Sequence, residues 1–177
     1  MQIVWNLSNI LSLARLFLSI PVCFLLFSGN NVIVFVIFCL ASITDILDGY
    51  VARRMNQITE FGKIIDPLAD KIFVSTVVIS FFIQNKIPLW FFVLVIVKDL
   101  LILLGGLIIA KSKNSVPASN YFGKAAVVSL GLTFIVILFE FFSREVKEYF
   151  IIFTSLLIIL SFLIYLKNFI SFLNIRS

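Results

Sequence analysis

The sequence predicts an all-α integral membrane protein, a bundle of six transmembrane helices, and three observations predict it. Hydrophobic residues fill 62% of the 177 positions, and mean hydropathy is +1.17, whereas a soluble domain of this length would be about half apolar. Apolar runs of about 20 residues, enough to cross a bilayer, recur along the chain. Basic residues concentrate in alternate connections, as positive-inside sorting requires. A soluble bundle is excluded because too little polar surface would remain to keep it dissolved.

The first span is expected over Asn9–Phe27, closed by the turn residues "SGNN". The second runs from Val32 into Ala52 and the third from Gly62 to Ile83. The fourth starts after Pro88 and continues to Ala110. The fifth covers Tyr121–Phe142 and the sixth Val146–Ile170. A short interfacial helix is expected before Asn9, and the charged strip Arg53–Gln57 reads as a second amphipathic piece at the interface. Arg15 interrupts the first apolar run, and no small-residue cleavage pattern follows it, so the first helix is expected to be retained. No internal repeat or low-complexity segment appears, and the short loops predict one membrane domain over residues 1–177.

Charge sets the orientation. Arg53, Arg54 and Lys63 lie between spans two and three; Lys111, Lys113 and Lys124 lie between four and five; Lys167 and Arg176 lie in the tail. The opposite side carries only Lys86, Arg144 and Lys147, the last two offset by Glu145 and Glu148. Both termini are therefore expected in the cytoplasm, in the cell (inner) membrane. The net charge of +5 reports topology and contact with anionic headgroups, not nucleic acid. Cys23 and Cys39, both in apolar segments, read as small packing residues and not as a disulfide. The absence of histidine excludes zinc centres and histidine-based catalytic triads. Acid–base chemistry must then use carboxylates, lysine or tyrosine.

Five of the nine acidic residues fall in the stretch Thr44–Lys71, and four of them are aspartates: Asp45, Asp48, Asp66 and Asp70. Asp45 and Asp48 are spaced i,i+3, and Asp66 and Asp70 i,i+4, so each pair shares a helix face. A short connection returns both helices to one membrane side, and the carboxylates can converge there. Unaided, like charges in a low dielectric repel and some would protonate. One or two divalent cations resolve the conflict, and oxygen-only ligands suit Mg²⁺, Mn²⁺ or Ca²⁺. Two ions bridged by carboxylates form a clamp suited to phosphoryl transfer. Gly49 and Gly62 leave side-chain-free surface where a ligand can approach, or else serve helix packing. Arg53, about one turn from Asp48, can fork onto a phosphate. Solvated helix ends, or ion pairs with Arg53, Arg54 and Lys71, are the bland alternative. They do not explain four carboxylates at these spacings, two of them inside apolar helix.

The pattern Asp45-x2-Asp48-Gly49-x2-Ala52-Arg53-x8-Gly62-x3-Asp66-x3-Asp70 resembles the full signature of the CDP-alcohol phosphotransferase family. "SNILSLAR", Ser8–Arg15, is similar to that family's "PN-x-LT-x-x-R" opening, with serine in place of proline and threonine. The resemblance implies that Asp45, Asp48, Asp66 and Asp70 hold a metal pair, Mg²⁺ or Mn²⁺, on a CDP diphosphate. Gly49, Ala52 and Gly62 would shape the cytidine site, Arg53 would hold a phosphate, and Asp70 would be the general base. The implied reaction moves the phosphatidyl group of CDP-diacylglycerol to a small alcohol acceptor with release of CMP. It also implies a homodimer.

Acceptor choice is expected in basic residues beyond the signature. Lys98 and Asp99 sit inside span four, where charge is costly. Lys98 can join Lys124 and Lys111 or Lys113 around an anionic acceptor, or pair with Asp99 and bind nothing. "SVPASNYFGK" and the Lys98–Asp99 pair resemble segments of bacterial phosphatidylglycerophosphate synthases, which use glycerol 3-phosphate. Those enzymes carry Arg-Glu where this chain has Lys98–Asp99, a second arginine where it has Gly105–Gly106, and Lys-Thr where it has Ala126–Val127. A cardiolipin-synthase-like acceptor therefore stays open. An ion-coupled transporter is the rival of another class; it would spread charge along the bilayer depth and break helices near the midplane.

Overall fold

The computed structural model describes residues 7–54, 62–111 and 121–174. Regular structure among them is helical throughout, in six helices: α1 (Leu7–Phe27), α2 (Asn31–Arg54), α3 (Gly62–Ile83), α4 (Leu89–Lys111), α5 (Tyr121–Leu138) and α6 (Arg144–Asn174). Each expected span corresponds to one helix. Three are long and apolar enough to cross a membrane among the described residues: α1 over Ile10–Phe27, α5 over Tyr121–Leu138 and α6 over Arg144–Asn168. α2 is apolar over Asn31–Thr44 and then carries charge to its end. Leu7 and Ser8, expected in an interfacial piece, begin α1, and residues 1–6 lie outside the described residues. Arg53 and Arg54 continue α2 without a break, and 55–57 lie outside as well.

The chain divides into two compact units, Met1–Asn85 and Lys86–Ser177. In the first, α1 packs against both α2 and α3. Gly29, at φ +76°, takes the left-handed conformation that a helix end favours and that glycine reaches without strain. The turn closes with Asn30 N donating to Leu25 O at 3.1 Å, and the chain reverses into α2. At the far end of α3, Gln84 Nε2 donates to the last-turn carbonyl of Leu26 at 3.3 Å. α1 and α3 therefore run parallel, with their N-termini on one side.

The faces of α1 show which solvent it meets. Ser12, Arg15, Ser19, Val22 and Leu26 are buried, while Ile10, Phe17, Ile20, Phe24 and Phe27 are exposed. Both sets repeat at heptad spacing on opposite sides of one helix. Putting the phenylalanines outside and the serines inside is favourable only where the surroundings are as apolar as the side chains.

The second unit packs α6 against α5 and α4. Between α5 and α6 lies a knot of buried hydroxyls. Thr133 Oγ1 donates to Ser129 O at 2.8 Å and meets Thr154 Oγ1 at 2.7 Å, and Thr154 Oγ1 also bonds Ser129 Oγ. Such interhelical hydrogen bonds hold helices together where no hydrophobic force can. α5 ends at Leu138, four residues short of the expected Phe142. α6 starts at Arg144, before the first apolar residue Val146. Ser143 Oγ accepts from Val146 N at 3.4 Å, a helix cap. Arg144 Nε donates to Glu148 Oε1 at 2.8 Å one turn on.

Where α4 and α6 touch, Gly105 faces Tyr165, and a Cβ built on Gly105 would collide with the phenol oxygen. Gly105→Ala is expected to lower stability by about 1–2 kcal/mol through overpacking. Adding Tyr165→Phe should recover most of it, because the colliding atom is gone. Thermal unfolding of the three variants in detergent checks this.

Candidate active site

Helix positions decide what can meet. α2 runs antiparallel to α1 and so brings Asp45, Asp48, Gly49, Ala52 and Arg53 back along α1 towards its N-terminus. α3 starts at Gly62 and carries Asp66 and Asp70 along the same helix. The signature is therefore distributed over the C-terminal half of one helix and the first turns of another, both packed on α1. The side chains of Asp45, Asp48, Gly49, Ala52, Arg53, Gly62 and Asp66 lie outside the described residues. Among the described side chains no cluster of three or more metal-ligating groups occurs, Asp70 being the one member of the four carboxylates in that set.

Asp70 is where the site acquires geometry. Arg15 Nη1 donates to Asp70 Oδ1 at 2.6 Å, a charge-assisted bond across 55 residues of sequence. The two partners differ in environment: the Arg15 side chain is 5% exposed and that of Asp70 53%. The cation is enclosed by the protein while about half of the carboxylate stays open. Arg15 is the ninth residue of α1 and Asp70 the ninth of α3. Because the two helices run parallel, the groups stand at the same level. Ala69, next to Asp70 in α3, is fully buried.

Sequence reasoning took Arg15 only as an interruption of the apolar run and as the end of the "SNILSLAR" motif. Its contact with Asp70 was missed. The signal was present, since a lone arginine nine residues into an apolar helix must face a partner or a polar cavity.

The expected acceptor residues fall in the second unit. Lys98 and Asp99 are buried and pair with each other, Nζ to Oδ1 at 2.7 Å, with side chains 9% and 5% exposed. Neighbouring helix residues diverge by about 100°, so this contact requires the long lysine stem to wrap back. Lys124 is exposed in the first turn of α5, and Lys111 is the last residue of α4, its side chain outside the described residues.

Comparison with known proteins decides the family. The sequence profile described as CDP-alcohol phosphatidyltransferase matches residues 5–167, which contain α1 to α5, most of α6 and every signature residue.

The chain belongs to the CDP-alcohol phosphatidyltransferase family.

Among relatives, a CDP-diacylglycerol–glycerol-3-phosphate 3-phosphatidyltransferase of Aquifex aeolicus is 34% identical over 130 residues, 72% of each chain. A Rickettsia prowazekii protein of the same name is 40% identical over 126 residues, 68% of each chain. A cardiolipin synthase (CMP-forming) of Streptomyces coelicolor is 30% identical over 138 residues, 74% of this chain and 64% of the relative. The matched region of this CDP-alcohol phosphatidyltransferase holds every signature position within α2 and α3.

The Lys98–Asp99 pair has a measurable signature of its own. Removing one partner leaves the other charge buried without its counter-ion, so Lys98→Met or Asp99→Asn alone should cost about 3 kcal/mol. Lys98→Met with Asp99→Leu should cost less than either, as read from unfolding in detergent.

Proposed function

We propose that this chain transfers the phosphatidyl group of CDP-diacylglycerol to glycerol 3-phosphate, giving phosphatidylglycerophosphate and CMP. The observation that carries this is the family match over residues 5–167 with the eight-position signature inside it. Two relatives that share about two thirds or more of their length with this chain are named for that reaction. We further propose one functional domain over residues 1–177, six membrane crossings, cytoplasmic termini and active site in the cell (inner) membrane, and a homodimer.

Asp70 is the proposed general base. Its side chain, about half exposed, suits a group that must reach an acceptor hydroxyl. The proton moves to a carboxylate oxygen, the acceptor oxygen forms a bond to the lipid-bearing phosphorus, and the bond to CMP breaks. Arg53 holds a phosphate, and Gly49, Ala52 and Gly62 give the cytidine room. A donor set of carboxylate oxygens fits a hard divalent cation, and Asp45, Asp48, Asp66 and Asp70 are the residues that would hold Mg²⁺ or Mn²⁺, as a pair. Such ions, when bound, neutralise charge on the diphosphate and its leaving group. Lys124, exposed at the start of α5, and Lys111 are proposed to attract the anionic acceptor from the cytoplasm.

A second acceptor, phosphatidylglycerol, is favoured by the state of Lys98. Its charge is balanced by Asp99 within a buried pair, which leaves less positive charge for a free phosphate monoester. Relatives named cardiolipin synthase also match.

Purified protein with CDP-diacylglycerol and Mg²⁺ or Mn²⁺ is expected to release CMP when glycerol 3-phosphate is added and not with buffer alone. Asp70→Asn should cut that rate by about 10³-fold while the protein still elutes as a folded species. Release with phosphatidylglycerol alone would move the assignment to the second acceptor. Ion flux across liposomes without CMP release would place the protein among transporters.

A further inference from the structure

We propose that Arg15 is a positioning residue of this site: it grips the Asp70 carboxylate through one oxygen and so fixes the direction in which that carboxylate meets the acceptor. The inference rests on the reading of Asp70 as the general base and adds a residue outside the Asp45–Asp70 signature, on a different helix.

Four observations point to it. Arg15 Nη1 and Asp70 Oδ1 are 2.6 Å apart, the short end of a charge-assisted bond. The burial is one-sided, with a 5% exposed cation holding a 53% exposed carboxylate. The two residues occupy matching levels of parallel helices. The arginine also sits within an apolar stretch, Ile10–Phe27, where a charge is costly and is retained for a purpose.

Two simpler roles explain less. As a staple between α1 and α3 the pair would be poorly placed, because one partner stays open to solvent and such pairs contribute little. α1 and α3 already hold each other through buried apolar residues, Val22 and Leu26 on one and Val77, Val78 and Phe81 on the other. As an interface anchor the guanidinium would extend towards headgroups, yet it is enclosed. Gripping a catalytic carboxylate uses both features. A planar, always-charged guanidinium fixes direction as well as distance. Burial restricts the guanidinium, and it passes that restriction to the carboxylate. A base displaced by about 1 Å loses about 10²-fold in rate.

Arg15→Met, Arg15→Lys, Asp70→Asn and Arg15→Met/Asp70→Asn test this with purified protein. CMP release is measured at varied CDP-diacylglycerol and acceptor, and unfolding in detergent is measured without divalent metal. Arg15→Met is expected to lower kcat by about 10²-fold with both KM values within about threefold. Arg15→Lys should recover about a tenth of the wild-type kcat, since it keeps the charge without the fork. In the metal-free melts, the double variant should shift less than the two single shifts combined, because both remove one contact. An unchanged kcat in Arg15→Met, a rise in KM with kcat intact, or additive melts would overturn the proposal. Should Arg15→Met not fold, Arg15→Lys decides: full kcat overturns, and a roughly tenfold loss at constant KM supports. Asp70→Asn separates the two claims. If it keeps wild-type CMP release, the base assignment fails and the Arg15 role falls with it. If it is inactive while Arg15→Met is not, only the Arg15 role fails.

Discussion

The structure depends on one constraint: in a bilayer, burying apolar surface gives helices no reason to associate. Something polar must mark the inside. α1 illustrates the solution, with Ser12, Arg15 and Ser19 turned inward at one end and Val22 and Leu26 at the other, while five large apolar side chains face out. The inward stripe thus changes character along the helix. At the N-terminal end it carries hydrogen-bonding and charge, and at the other it is close packing against α3. In the second unit the same problem is solved without charge, by the Ser129–Thr133–Thr154 hydroxyls between α5 and α6.

That division has a functional logic. Polar groups inside a membrane protein are expensive, so chains place them where chemistry needs them. The polar end of α1 is the end beside which α2 and α3 bring the aspartate signature. The apolar end is ordinary scaffold. Polar groups and close apolar packing are thereby assigned to different turns of the same helix.

Much of this was legible in the sequence because its strongest signals are one-dimensional. Apolar runs gave six segments, and α3 begins and ends where it was expected, at Gly62 and Ile83. The eight-position signature from Asp45 to Asp70 gave the family. The misses share a cause. Phe139, Phe141 and Phe142 extend the apolar run beyond α5, but the helix stops at Leu138, since apolarity is not itself a helix signal. The charged opening of α6 looked like loop, yet Ser143 and the Arg144–Glu148 pair start the helix there. Contacts between distant segments, Arg15 with Asp70 and Gly105 with Tyr165, have no local pattern. Burial of a charge in α1 was the one available hint. The Lys98–Asp99 alternatives were both stated, and the structure has the two groups bonded to each other.

The separation of 55 residues between Arg15 and Asp70 bears on how the protein is made. The first helix is threaded into the lipid as a cationic segment before Asp70 has been synthesised. Their contact can form only when the third helix emerges from the ribosome. A nascent chain cut off before that point lacks the charged contact between its first and third helices, so its polar core is left unfinished.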